Sequence, residues 1–388
     1  MKPRKRVVTG PSAGGRAAAA RRTPTVRRIR SAIVPVGRGP RPGPTGADGR
    51  PSGATAASGG VPATDPRTSP LAAVDLSAEV APRTGLRLRN PILVAAGCAG
   101  YGPEVAATVD LGALGAIVTR TTTLRPRDGS PAPRLVERAG AVVWATGLPN
   151  PGIDAVLERY APAWPTLPTA VVVSIGGEAV GEVGELVRRL EDVSGVAALE
   201  LDLAHLRPGP ADPAPMAALV AAARRATERP LVVKLPYVED PRRLGRAVVD
   251  AGADALAGPG GLRGRVLGAA GGRLARPPAL GVGRGFLAGP VLLPLSLDFV
   301  AELAAGVRIP VVGLGGVRSV DDVLDYLAAG ASAVGVGTAA LADPALPGRL
   351  AEALRRICAQ AGIADLGALR DRLRRGPDGT AAGRTLLP

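Results

Sequence analysis

Eight short apolar runs with strand character recur along this chain, at 91–96, 115–120, 169–174, 197–203, 230–235, 253–257, 309–313 and 333–337. Helical patterns lie between or after them, near 103–112, 152–160, 180–191, 214–227, 240–251, 296–306, 319–329 and 345–361. Runs such as PLVVKL and IPVVGL are apolar throughout rather than alternating, as expected of strands buried on both faces. Eight strand–helix units in series predict a closed parallel (β/α)8 barrel of the TIM type. An open doubly wound sheet is the competing arrangement, because periodicity alone does not close a barrel. The longest departure from the pattern, 121–150, is rich in Pro and Gly and follows the second strand. Insertions there build the C-terminal face of a barrel, where its sites lie.

Two late strands end in glycines. The first finishes in Gly313-Leu314-Gly315-Gly316 and leads into a helix opened by Ser319, with Asp321 and Asp322 in its first turn. The second finishes in Gly335-Val336-Gly337-Thr338. Bare backbone N–H groups at such turns cradle a phosphate, and glycine lets the ligand approach closely. The same glycines also serve tight turns that hold no ligand.

Aromatic residues make up only 2% of the chain, so Ala, Val and Leu must fill the core. Two cysteines, Cys98 and Cys358, exclude a disulfide scaffold and a four-cysteine cluster on this chain. No apolar run approaches the ~20 residues of a membrane span, and a cytoplasmic location is expected. The net charge of +15 is unevenly spread: residues 1–70 hold 14 Lys+Arg against 2 Asp+Glu, which leaves +3 for the remainder. Residues 1–70 are rich in Arg, Pro, Gly and Ala without a sustained period, and are expected to be disordered. Contact of this extension with polyanions is one expectation, and a dispensable extension is the other. The barrel is assigned to 71–365 and a basic C-terminal tail to 366–388.

Side chains at C-terminal strand ends face a barrel's site. This selects Ala95, Ala96 and Gly97, then Arg120, Ser174, Asp202 to His205, and Lys234. Lys234 lies inside VVKLP and needs an anionic partner. That partner is a cofactor oxygen on one reading, and an internal carboxylate, Glu200 or Asp202, on the other. His205 is the sole histidine and follows the fourth strand. Histidine transfers protons near neutral pH, yet a lone histidine also serves structure. Cys98 reads as a small packed side chain and Cys358 as core.

In order, the segments NPILVAAGCAGYG, LGAIVTRTTTLRPRDGSPAPR, ATGLPNPG, ALELDLAH, LVVKL, AGADAL, LAGP and IPVVGLGGVRSVDDVLDYLAAGASAVGVGT resemble the dihydroorotate dehydrogenase family, specifically its class 1 branch. The resemblance spans about Val74 to Ala353. It implies an FMN-binding barrel. Gly315, Gly316, Gly337 and Thr338 would hold the FMN phosphate, with Gly289 in a further FMN-contacting turn. Lys234 would lie against the flavin, and Ala95, Ala96 and Gly97 beneath its ring. Arg120 and Ser174 complete the implied cofactor set.

The substrate half departs from the family. Its T-K-T reads Thr119-Arg120-Thr121 here. Its L-N-x-S-C-P-N reads Leu201-Asp202-Leu203-Ala204-His205-Leu206-Arg207, which puts His205 where the family has its cysteine base. Substrate asparagines fall on Asp202, Arg207, Trp144 and Gly260, with Gly261 beside the last. Arg120 and Arg207 remain to meet a substrate carboxylate. The resemblance implies oxidation of dihydroorotate to orotate in pyrimidine biosynthesis, with His205 as base and Lys234 stabilising reduced flavin. A divergent flavin oxidoreductase acting on another carboxylated or unsaturated substrate, and a catalytically silent FMN-binding paralogue, are the alternatives. A small-molecule substrate and a homodimer belong to the expectation. One class 1 subtype pairs with an iron–sulfur partner.

Overall fold

The computed structural model describes residues 71, 73–206, 212–268 and 276–375. The extension at 1–70 and Arg207 lie outside the described residues. All eight expected strands form, as β1 (Ile92–Val94), β2 (Ala116–Val118), β3 (Ala170–Ile175), β4 (Val196–Asp202), β5 (Leu231–Lys234), β6 (Ala255–Gly258), β7 (Val311–Leu314) and β8 (Ala333–Val336). Each pairs in parallel with the next, and β8 closes on β1 through Val334 opposite Ile92, so the sheet is a barrel and not an open one. Closure suits these sequences, because a closed parallel sheet has no edge and is covered on both sides.

Beta-branched and aliphatic residues fill the interior, as the scarcity of aromatics requires. Leu93, Val118, Val172, Val232, Ala257 and Val312 line it. The antiparallel hairpin Ala78–Ala81/Leu86–Leu88 precedes β1 and sends Val80, Leu86 and Leu88 into the same space. Its turn residue Arg83 reaches Asp254, just before β6, at 2.8 Å. The hairpin therefore plugs the N-terminal end of the barrel and leaves the C-terminal mouth for chemistry.

Helices follow the expected series with one exception. The segment 103–112 runs as turns into a 3-10 turn at Leu111–Ala113. Thr108 and Val109 are β-branched, and the Asp110 carboxylate caps the next turn at Gly112 N–H before a regular helix can propagate. Ser319 and Asp322 form a capping box at the start of Val320–Ala329, and Gly330 ends that helix in the left-handed conformation. The C-terminal tail drawn from 366 is corrected in its first part: Leu366–Arg374 is a helix that buries Leu366 and Leu369. Among the described residues, no helix is long and apolar enough to cross a membrane.

The 121–150 excursion forms two strands, Leu135–Arg138 and Ala141–Trp144. They join Gly285–Ala288 and Leu262–Gly264, from the connection after β6, in a four-stranded antiparallel sheet. Val143, Ala145, Val266 and Leu280 make its own small core. Both contributing loops leave C-terminal strand ends, so this sheet belongs to the mouth side.

Candidate active site

Strand register assembles the polar centre. Ser174 stands opposite Glu200 across β3 and β4, and Asp202 stands opposite Lys234 across β4 and β5. Glu200 and Asp202 are two apart on one strand and so share a face. The Lys234 ammonium lies 2.7 Å from Asp202 Oδ2 and 3.3 Å from Glu200 Oε1. Ser174 Oγ donates to Glu200 Oε1 at 2.9 Å, and Thr121 Oγ1 donates to Asp202 Oδ2 at 2.9 Å. The Ala204 backbone N–H donates to Asp202 Oδ1 at 2.9 Å. Both carboxylates are buried, and the lysine side chain is 13% exposed.

Burial raises the Glu200 carboxyl above its ordinary value, with the Lys234 charge opposing. Burial works the same way on Asp202, but there the charge and hydrogen bond of Lys234 outweigh it and hold the carboxyl well below the usual range. Burial pulls Lys234 down, but Asp202 and Glu200 outweigh this and raise it. Lys234 is therefore a cation held by two internal carboxylates, at the place the strand-end argument selected. Asp202, expected among the substrate residues, spends both oxygens on protein donors.

His205 follows directly. Its Nδ1 is 4.0 Å from Asp202 Oδ1, beyond hydrogen-bond reach, and both ring nitrogens are buried without a partner. Gly176 makes room for the ring: a Cβ there would sit 3.1 Å from His205 Cε1. Gly260 packs as tightly, since a Cβ on it would fall 2.5 Å from the Cβ of Ala204. No side chain fits at 260 while alanine stands at 204. Trp144 lies on the antiparallel sheet, its ring 5.2 Å from that of Phe286. Arg120 is exposed and turns toward the Pro149 carbonyl at 3.4 Å. Cys98 is partly buried, and burial pushes its thiol up to about 11, which disarms it as a nucleophile. Cys358 is core.

The glycine turns meet the requirements of a close-approach cradle. Gly315 and Gly316 have φ of +115° and +79°. A Cβ on Gly316 would lie 2.7 Å from the Leu293 backbone nitrogen, and one on Gly315 would collide with Ser296 Oγ. Tyr326 donates its hydroxyl to the Gly315 carbonyl at 2.6 Å and fixes the turn from behind. Gly337 has open space around it. Ala95, Ala96 and Gly97 follow β1, where the Ala95 N–H bonds the Val336 carbonyl at 3.0 Å. Gly289, at φ +100°, follows the strand Gly285–Ala288.

Sequence reasoning named Glu200 only as a candidate partner of Lys234 and Thr121 only within the T-K-T segment, and it missed Tyr326. Alternation along LELD was a usable signal for Glu200, since it shares the inward face with Asp202. Nothing local marked Tyr326.

Comparison with known proteins places this arrangement. The family model described as Dihydroorotate dehydrogenase matches residues 80–358. A Geobacter sulfurreducens protein named dihydroorotate dehydrogenase B (NAD(+)), catalytic subunit, is 40% identical over 299 residues, 75% of this chain and 96% of that protein. Proteins of the same name from Geotalea daltonii and Desulforudis audaxviator are each 38% identical, over 76% and 74% of this chain and 97% and 94% of theirs. With its closed barrel, charged strand ends and paired glycine turns, the chain belongs to the dihydroorotate dehydrogenase family.

Proposed function

We propose that this chain is an FMN-dependent oxidoreductase that converts dihydroorotate to orotate, with His205 as the proton-accepting base. Family membership supports the reaction, an oxidation at a CH–CH bond in pyrimidine biosynthesis. Near-complete coverage of relatives that share one name favours it over a divergent or silent flavoprotein. The observation that carries the assignment of the base is an imidazole with two buried, unpartnered nitrogens beside the Asp202–Lys234 pair. A buried polar atom without a partner is costly, and a bound ligand relieves that cost.

The residues present fit FMN. Gly315, Gly316, Gly337 and Thr338 would hold its phosphate, because bare backbone N–H groups at such turns can approach an anion and the Leu293 backbone leaves no room for a Cβ on Gly316. Ala95, Ala96 and Gly97 would lie against its ring, Gly289 would supply a further contacting turn, and Ser174, whose hydroxyl donates to Glu200, would complete the set. When bound, FMN supplies a two-electron acceptor for hydride. This chain's own part is to orient the substrate, exclude water and accept a proton. His205 removes a proton from the carbon next to the one that loses hydride, and Lys234 keeps a fixed positive charge at the mouth. Arg120 and Arg207 supply partners for the substrate carboxylate, and Trp144 with Phe286 forms an apolar wall.

The relatives are named catalytic subunits and NAD(+) enzymes. This supports a second subunit that passes electrons onward to NAD+, and a cytoplasmic complex. A homodimer and contact of the basic extension with polyanions complete the reading. Anaerobic addition of dihydroorotate to the flavin-loaded protein tests it: loss of the oxidised flavin absorbance is expected, and an unchanged spectrum overturns it.

A further inference from the structure

Asn90, Asn150 and Gln360 are the only amide side chains in the sequence, and each is committed elsewhere. Asn90 precedes β1 at the plugged end of the barrel, donating to the Ala113 carbonyl at 2.9 Å and accepting from the Ile92 N–H at 3.0 Å. Gln360 ends the helix Leu346–Gln360, which runs back from β8 toward that same end. Asn150 is buried and fully used. Its oxygen accepts from the Thr123 and Gly152 N–H groups, and its nitrogen donates to Thr123 Oγ1 and the Leu148 carbonyl. The hydroxyls of Thr121 and Ser174 are spent on Asp202 and Glu200. Residues 207–211 and 269–275, outside the described set, read RPGPA and AAGGRLA and carry no amide, hydroxyl or carboxyl side chain.

The surface beside the base is apolar. A Cβ on Gly260 would fall 2.5 Å from the Cβ of Ala204, the neighbour of His205, and one on Gly261 would fall 2.8 Å from the Cβ of Phe286. Phe286 stands opposite Trp144 in the antiparallel sheet. Val143 and Ala145 turn to that sheet's own core, so Trp144 shows the opposite face. Ala204, Gly260, Gly261, Phe286 and Trp144 are all half-buried, which leaves this wall open to a ligand. Arg263, exposed and opposite Phe286, adds a cation to the row.

Dihydroorotate presents alternating N–H donors and carbonyl acceptors along N1–C2–N3–C4, and a carboxylate on C6. Reading such an edge takes donors and acceptors side by side, which amide side chains carry. We infer that this site takes its substrate by carboxylate and ring face, not by ring edge, and so binds and oxidises dihydroorotates alkylated at N3. The inference rests on the proposed reaction and deepens it by naming the substrate class. N3 is bonded to neither reacting carbon. With an alkyl group there, the proton still leaves C5 for His205 and the hydride still leaves C6 for FMN, and the C5–C6 double bond forms as before.

The test uses full-length protein carrying its FMN, titrated with orotate, 3-methylorotate and uracil. The change in flavin absorbance gives each Kd without turnover. Orotate and 3-methylorotate should bind within about tenfold of each other, whereas a site that hydrogen-bonds the N3–H rejects an analogue lacking it by ~10⁴. Uracil keeps the edge but lacks the carboxylate, and should bind more weakly than either acid. Trp144→Leu should weaken both acids by the same factor. The inference is overturned by 3-methylorotate binding worse than that tenfold limit, by uracil binding as tightly as orotate, or by a Trp144→Leu loss confined to one acid. If the variant does not fold, the wild-type comparison decides alone. Failure of the reaction shows separately, as wild-type flavin that dihydroorotate does not bleach, and the ratio of the Kd values is read independently of it.

Discussion

Lys234 lies 2.7 Å from Asp202 across the β4–β5 register and is shared with Glu200 at 3.3 Å. The ion pair and the proposed chemistry use the same atoms. A lysine that only neutralised the barrel centre could sit anywhere along the strand. This one sits at its last residue, next to the mouth.

Removing that ammonium should be severe. Lys234→Met leaves two buried carboxylates without their cation, and breaking a buried pair costs about 3–5 kcal/mol. Chemical denaturation should show a loss of this size. A loss below about 1 kcal/mol would mean that water or a rearranged cation already compensates the carboxylates.

The phosphate cradle can be tested without disturbing the fold. At Gly337 an added Cβ meets nothing within 4 Å, so Gly337→Ala and Gly337→Leu should change stability by less than about 1 kcal/mol. The leucine variant should nonetheless lose most of its FMN, measured as flavin absorbance per chain. Full flavin retention would move the phosphate away from this turn.

His205→Asn should leave flavin content intact and slow flavin reduction by dihydroorotate by ~10²–10⁴, the usual worth of general base catalysis. Stopped-flow absorbance under anaerobic conditions reads this directly. Reduction at the wild-type rate would make the histidine structural.

Cys98 should be a poor nucleophile despite its place after β1. Only the thiolate reacts, and a thiol raised to about 11 leaves about one in 10³ ionised at pH 8. Alkylation should therefore be slow at pH 8 and quicken as pH rises toward 11. Cys98→Ala should keep flavin reduction. Rapid labelling at pH 8 would show that the site opens to solvent.

A chain starting at Ser69 should keep its melting temperature and its flavin. The buried core begins at Val74, whose carbonyl accepts from Arg355 at 2.6 Å, and the family match begins at residue 80. A drop in melting temperature on truncation would show that the extension supports the barrel.

The sequence alone determined the eight strands, the capped helix at Ser319, the glycine turns and the mouth-side places of Lys234 and His205. Those features are local: strand period, cap chemistry and left-handed turns depend on residues a few positions apart. It also left two readings of Lys234 open, and both carboxylates it named as partners are in contact with the lysine.

Tertiary structure decided what depends on register and closure. Only the pairing of β8 with β1 excludes the open sheet. Only the offsets between β3, β4 and β5 set Ser174 against Glu200 and Asp202 against Lys234, because a one-residue slip would turn each side chain to the other face. The joint sheet built from 121–150 and the connection after β6, the tether from Tyr326 to Gly315, and the room that Gly176 leaves for His205 arise between segments far apart in sequence. No local pattern encodes such distances. They follow from packing, which is where the charge around the single histidine is set.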